Sequence, residues 1–316
     1  MKHILYAEGG DGIGTGHLNR VLNLIKALNL KENYLCCYEN CIQKSFYLEK
    51  NIPAISLLEL KQKDCFNTFF IDTKKERLDL IKVFKNRYKK LIVIDNSTKL
   101  ANKADIQITP SYYSKDQETI VKETLYCSGY KYLILNPDIN EFHWNPKDYK
   151  LISFGGEDPN NLTLKTLKIL KEVNKTHNTK VVLGPNYKHD KNEILNYIEA
   201  KDIYENPGNL YEMFSHSLYV ITALGVTLQE LFKMSVPSIV ITNYYEDSFE
   251  FEIIEKYAIK YMGKNFINFL GYHKNINKNK YLQMHRRVSV FDGQQIKLPL
   301  SEIGLNLPNL KKFIDI

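Results

Sequence analysis

No uninterrupted apolar segment in this chain of 316 residues approaches the roughly 18 that would suggest a membrane-spanning helix. The opening MKHILYAEGG meets an acid and two glycines too early for a signal peptide. A soluble, cytoplasmic protein is the expectation. Five cysteines, an odd number, stand at Cys36, Cys37, Cys41, Cys65 and Cys127 with neither C-x-x-C spacing nor a neighbouring histidine cluster. That argues against a disulfide framework and a structural zinc, and for buried reduced thiols.

Charge of one sign is in modest excess, 43 basic against 36 acidic residues for a net +7, which suits an anionic ligand or an anionic membrane surface. The basic residues are scattered, so nucleic acid is not the expected partner. Their densest cluster, KVFKNRYKK from Lys82 to Lys90, reads as the solvated end of a helix running into a strand, with headgroup or acceptor contact as the other reading. A hydrophobic content of 44% over this length makes two α/β domains the default.

What is present begins with a glycine loop. The apolar run His3–Ala7 has the character of a buried first strand, and Leu18, Val21, Leu22, Leu24, Ile25 and Leu28 recur at helical spacing. Between them lies Asp11-Gly12-Ile13-Gly14-Thr15-Gly16-His17-Leu18-Asn19-Arg20. Glycines there permit close ligand approach, and the unpaired N–H groups of the helix start favour an anion. A dinucleotide fingerprint would need glycine where Asn19 stands, and only Glu39 could serve as its ribose acid. A phosphate-loop NTPase is excluded because Gly16 is followed by His17-Leu18 rather than Lys-Ser/Thr. In the plainest reading the glycines make a tight turn and His17 caps the helix.

Further strands are expected at Tyr34–Tyr38, Ala54–Leu58, Thr68–Asp72, Leu91–Asp95, Ile106–Thr109 and Tyr132–Asn136, with helices between several of them, an alternation that argues for a largely parallel sheet. Asp72 and Asp95 end two of these strands, where open α/β sheets collect ligands. Either could be a site residue or the cap of a helix or turn next in the chain. The proline-rich Asn136–Pro146 reads as a linker, separating a domain over 1–140 from one over 147–316. In the second domain strands are expected at Lys150–Phe154, Lys180–Leu183, Ile203–Glu205, Tyr219–Thr222 and Pro237–Thr242, with helices over 160–174, 190–199, 210–216 and 227–234. Its loops are expected to face the first domain across a cleft. Phe154-Gly155-Gly156 with its adjoining helix start suits a phosphate without a metal. In Thr222-Ala223-Leu224-Gly225-Val226-Thr227-Leu228-Gln229-Glu230, Glu230 lies one turn beyond Thr227, placed to accept from a ribose diol or to complete a capping box.

Gly14-x-Gly16-His17-x-x-Arg20, Gly155-Gly156-x-Asp158-x-x-Asn161-Leu162-Thr163, Gly184-Pro185-Asn186-Tyr187 and Gly225-x-Thr227-x-x-Glu230 occur in the order and spacing of the GT-B superfamily. Within it the chain resembles the UDP-sugar hydrolase of pseudaminic acid biosynthesis and its spore-coat polysaccharide relatives, which are similar to the UDP-GlcNAc transferase of peptidoglycan synthesis. Cys127–Leu135 and Arg286–Gly293 extend the resemblance over most of the chain. Departures are Asn136-Pro137-Asp138 after the pre-linker strand, Asp72-Thr73 in place of an aspartate-tyrosine pair, and Glu246-Asp247-Ser248-Phe249 in place of an Asn-Gln pair.

The resemblance implies an α/β, GT-B fold of two doubly wound, Rossmann-like domains. It also implies release of UDP from a UDP-linked amino or deoxy sugar by water attack at the anomeric carbon. His17 would be the general base, an imidazole being suited to proton transfer near neutrality, and Asp11 would orient it or bind a sugar hydroxyl. Gly14, Gly16, Arg20, Asp72, Gly155, Gly156, Asn161, Gly184, Leu224, Gly225, Thr227 and Glu230 would bind substrate, Glu230 on the ribose and the helix starts at Gly155-Gly156 and Gly225–Thr227 on the diphosphate. No metal and no cofactor are called for. A glycosyltransferase would use the same parts on an acceptor hydroxyl. If the acceptor were lipid-linked, Ile42–Lys63 and the 82–90 cluster would supply peripheral membrane contact. A nucleotide-sugar-binding protein without catalysis is the non-enzyme alternative.

Overall fold

The computed structural model describes residues 3–10, 15–31, 33–63, 65–111, 117–245, 247–297, 303–304 and 310–314. Two compact units divide the chain, Met1–Pro137 with Ser301–Ile316, and Asp138–Leu300. Among the described residues no helix is long and apolar enough to cross a membrane.

The first unit is built on β1 (His3–Ala7), β2 (Tyr34–Tyr38), β3 (Ala54–Ser56), β4 (Phe66–Asp72), β5 (Tyr88–Ile94), β6 (Ile106–Pro110), β7 (Gln117–Val121) and β8 (Thr124–Gly129). They form an eight-stranded sheet in the order β3-β2-β1-β4-β5-β6-β8-β7, parallel except for the β7–β8 pair. Every residue of β1 is buried. Leu5 and Ala7 join a cluster with Leu18, Val21, Leu24 and Leu28 of α1 (Gly16–Leu28), while Ile4 and Tyr6 join a second cluster with Phe69, Ile71 and Phe84. Alternate side chains point to opposite faces of a strand, so a strand covered on both faces is apolar throughout.

The second unit has β9 (Lys150–Ser153), β10 (Thr179–Leu183), β11 (Ile203–Glu205), β12 (Val220–Ala223), β13 (Ser238–Thr242) and β14 (Ile267–Tyr272). Their order is β11-β10-β9-β12-β13-β14, with every pairing parallel. Besides α1 the first unit carries α2 (Cys41–Glu49), α3 (Leu57–Leu60) and α4 (Leu78–Val83), and the second α5 (Leu162–Glu172), α6 (Asn192–Leu195), α7 (Leu210–Ser215), α8 (Val226–Lys233), α9 (Asp247–Tyr261) and α10 (Lys278–Val288). In both sheets the strand order reverses beside the first strand, between β1 and β4 and between β9 and β12. The carboxyl ends flanking such a reversal form a crevice in which ligands bind.

Three expectations need correction. The strand expected at Tyr132–Asn136 is absent. Tyr130–Tyr132 is a 3-10 turn and Leu133, Ile134 and Leu135 are buried without strand pairing, because an apolar run signals burial whether or not it pairs. The hairpin β7–β8 stands at that edge instead. The helix expected over 190–199 is only Asn192–Leu195. The domain boundaries also differ. Ile139 is buried in the second unit and Trp144 Nε1 donates to the Ser217 carbonyl at 2.9 Å, so most of the supposed linker belongs to that unit. At the other end Leu310 is buried in the first unit's core with Phe313 packed on it, so the terminal segment closes on the first unit rather than the second.

Candidate active site

The reversal point of the first sheet gathers charged side chains. Ala7 and Asp72 are paired at the carboxyl ends of β1 and β4, and α1 begins from the loop after β1. His17 and Arg20, three apart on α1, share a helical face and both reach Asp72. His17 Nδ1 is 2.7 Å from Asp72 Oδ1. Arg20 donates from Nε to Asp72 Oδ2 at 2.8 Å, from Nη2 to Asp72 Oδ1 at 2.6 Å, and from Nη1 to Asp95 Oδ2 at 2.9 Å.

His17 Nδ1 also lies 2.9 Å from Arg20 Nη2. The shorter of its two contacts, 2.7 Å to the buried carboxylate, is a hydrogen bond when Nδ1 carries the proton and donates to Asp72. In that tautomer Nε2 is the ring nitrogen with a lone pair and can accept a proton. Burial opposes ionisation of Asp72, yet the Arg20 guanidinium and the hydrogen bonds from Arg20 and His17 hold its carboxyl below the usual value. Removing one member of such a buried pair typically costs about 3–5 kcal/mol.

The structure revises two expected substrate ligands here. Asp72 is 0% and Arg20 6% exposed, with every carboxylate oxygen and guanidinium nitrogen engaged. They hold His17 in place, and neither is free for a sugar. His17 does not cap α1. Thr15 is the N-cap residue, with no side-chain cap bond. Asp11 and Gly14 lie outside the described residues. Gly16 opens α1, and a Cβ there would meet no described residue within 4 Å, so none of the described residues demands glycine there. One further acid was missed. Glu8, immediately after β1, accepts from Thr73 Oγ1 at 2.7 Å and pairs with Lys75. The strand-end criterion that drew attention to Asp72 and Asp95 applies equally to Glu8.

In the second unit the loops after β9 and β12 flank the reversal. Gly155 has φ 78°, a conformation favouring glycine. Asp158 is buried and accepts from the backbone N–H of Leu162 at 2.7 Å and of Thr163 at 2.9 Å. The start of α5 therefore already holds an internal carboxylate, which corrects the expectation that it offers free amides to a diphosphate. Gly184 also changes role. A Cβ on it would stand 2.2 Å from the Gly155 carbonyl oxygen and 2.5 Å from Gly156 Cα, so close packing of two loops requires it. The loop after β10 braces the loop after β9 again where Asn186 N–H donates to the Gly156 carbonyl at 2.9 Å and Tyr187 Oη to Asn161 Oδ1 at 3.0 Å.

The start of α8 differs. Gly225 is the N-cap residue, with no side-chain cap bond and no acid in the first turn. Thr227 lies inside the helix, so the capping-box reading fails. Gly225 has extended backbone, φ 172°, and no described residue within 4 Å of a Cβ. Leu224 is half-buried before it. Glu230 is 9% exposed. Burial pushes its carboxyl up to about 7, opposed by the hydrogen bond from Tyr211 Oη to Oε1 at 2.9 Å. Tyr211 of α7 carried no sequence signal, since only the packing of α7 beside α8 brings the two together.

No protein-family model matches the chain. It is 30% identical to the uncharacterized protein MJ1062 of Methanocaldococcus jannaschii, over 85% of this chain and 60% of that protein. The chain thus spans about 60% of the length of the curated relative it matches. Among solved structures it is similar to the glycotransferase of kitacinnamycin, with TM-score 0.64 and 12% identity over 99% of this chain and 98% of that one. It is also similar to MurG of Acinetobacter baumannii, with TM-score 0.56 and 10% identity over 100% and 98%. A third is S. aureus MnaA in a co-structure with UDP, with TM-score 0.57 and 10% identity over 100% and 97%. At these identities the likeness is one of fold, and the two parallel-sheet α/β units are those of the GT-B fold.

Proposed function

We propose that the protein is a UDP-sugar hydrolase of the kind that acts in pseudaminic acid and related surface-glycan biosynthesis. The observation that carries this reading is the Asp72–His17 contact, which leaves Nε2 of His17 as a base. Nε2 takes a proton from water and the oxygen attacks the anomeric carbon. The bond from that carbon to the β-phosphate oxygen breaks, and UDP leaves with the electron pair. Asp72 remains ionised and stabilises the imidazolium.

The second unit's part is the nucleotide. Glu230 accepts from the ribose diol, and the α8 start at Gly225–Thr227, with no carboxylate in its first turn, donates to the diphosphate. Gly155, Gly156, Leu224 and Asn161 line the same reversal point. Likeness to a glycotransferase over nearly the whole of both chains favours one second reading, sugar transfer to an acceptor hydroxyl by the same base.

The test is release of free UDP from a panel of UDP-linked amino and deoxy sugars by the purified protein, with EDTA present and no acceptor. Release that disappears in His17→Ala supports hydrolysis. Tight UDP-sugar binding with negligible release overturns hydrolysis in favour of transfer or of binding alone.

A further inference from the structure

Asp158 fills the α5 start, which leaves the diphosphate proposed above with the α8 start and no charged ligand. α5 itself carries a cation. Lys165, in the first turns of α5, is half-buried, and its Nζ donates to His273 Nδ1 at 3.1 Å. His273 comes directly after β14, and its backbone N–H donates to the Thr242 carbonyl at 3.1 Å, at the carboxyl end of β13. Asn160, just ahead of α5, donates from Nδ2 to Asn243 Oδ1 at 3.0 Å. The segments after β9, β13 and β14 are thereby tied together around the lysine.

Among the described residues no carboxylate lies within 4.0 Å of Lys165 Nζ. Its partner is an imidazole whose pKa is lowered by burial and by the neighbouring Lys165 and Lys274 cations, hence a neutral acceptor. A neutral ring orients an ammonium without neutralising it, leaving the other N–H donors for an anion.

We propose that Lys165, presented by His273, is the cationic ligand of the substrate's diphosphate, an inference that rests on the UDP-sugar reading above. His273 is a positioning residue in this arrangement. As the anomeric bond breaks, charge grows on the departing β-phosphate oxygen, where an oriented ammonium is most effective.

The experiment compares UDP with uridine by calorimetry. Lys165→Met should weaken UDP binding roughly tenfold or more, as loss of a charge-assisted contact does, and leave uridine binding unchanged. Lys165→Arg should recover most of the loss. His273→Ala should reproduce part of it, and His273→Gln, which restores an acceptor, should rescue it. An equal loss for both ligands, or no loss for either, overturns the role of Lys165 while the nucleotide reading stands. Wild-type protein that binds neither ligand overturns the nucleotide reading and this inference with it.

Discussion

His17 Nδ1 lies 2.7 Å from Asp72 Oδ1, across 55 residues of sequence, and the same carboxylate receives two hydrogen bonds from Arg20. The helix after the first strand and the end of the fourth strand are thus locked by one buried group. Arg20 is in turn held by Asp95 at the end of β5, so three adjacent strands fix the direction of a single imidazole.

Asp72→Asn should lower kcat roughly 10²–10⁴-fold, the usual worth of an oriented acid-base group, with KM for the UDP-sugar little changed because Asp72 is 0% exposed. Arg20 keeps Asp95 as a partner, so thermal unfolding measured alongside should show a folded protein of reduced stability. A KM rise with kcat intact would return Asp72 to substrate binding.

Much of this arrangement was legible in the sequence. The apolar run His3–Ala7, the glycine loop and the spacing of Leu18, Val21, Leu24 and Leu28 define a strand-loop-helix unit through local periodicity alone. The motif residues at 155–163 and 225–230 likewise fall on the loops and helix starts after β9 and β12, which flank the second reversal point, and those at 184–187 on the loop after β10. Pairing at a distance could not be read in this way. That Asp72 spends its oxygens on Arg20 and His17, that Asp158 fills the α5 start, and that Gly184 serves another loop all depend on which strands become neighbours. The carboxyl-terminal return to the first unit was hidden for a related reason. Leu310 and Phe313 carry no mark of which core will bury them.

Glu230 should give the protein a pH signature. Burial pushes its carboxyl up to about 7 against the pull of Tyr211, whereas in an unfolded chain it titrates near about 4.3. Between those values the folded state keeps a proton that the unfolded state has lost. Its contribution to stability is therefore complete below about pH 4.3 and lost as the pH rises to about 7. Glu230→Gln, which cannot ionise, should match wild type near pH 4 and exceed it near pH 8 by on the order of 3–4 kcal/mol in denaturant unfolding. Binding should take the opposite slope, since the ionised carboxylate is the better acceptor for a ribose diol. Uridine, which has no phosphate to titrate, should bind wild type more tightly at about pH 8 than at about pH 6, and Glu230→Gln should lose that difference. A wild-type uridine affinity flat across this range would remove Glu230 from ribose recognition.

Gly184 and Gly225 both sit in motifs associated with the nucleotide, yet alanine should affect them in opposite ways. At Gly184 a methyl would stand 2.2 Å from the Gly155 carbonyl oxygen and 2.5 Å from Gly156 Cα, backbone atoms that yield only if a loop moves. Gly184→Ala should lower stability by about 1–3 kcal/mol, as overpacking does, and weaken UDP binding only as far as the loop after β9 shifts. At Gly225 the backbone is extended at φ 172° and no described residue lies within 4 Å of a Cβ, so Gly225→Ala should unfold at the wild-type midpoint. If the α8 start approaches a diphosphate, the methyl occupies the space the ligand needs, and UDP binding should fall sharply with stability intact. Wild-type affinity for UDP in Gly225→Ala would place the diphosphate away from α8.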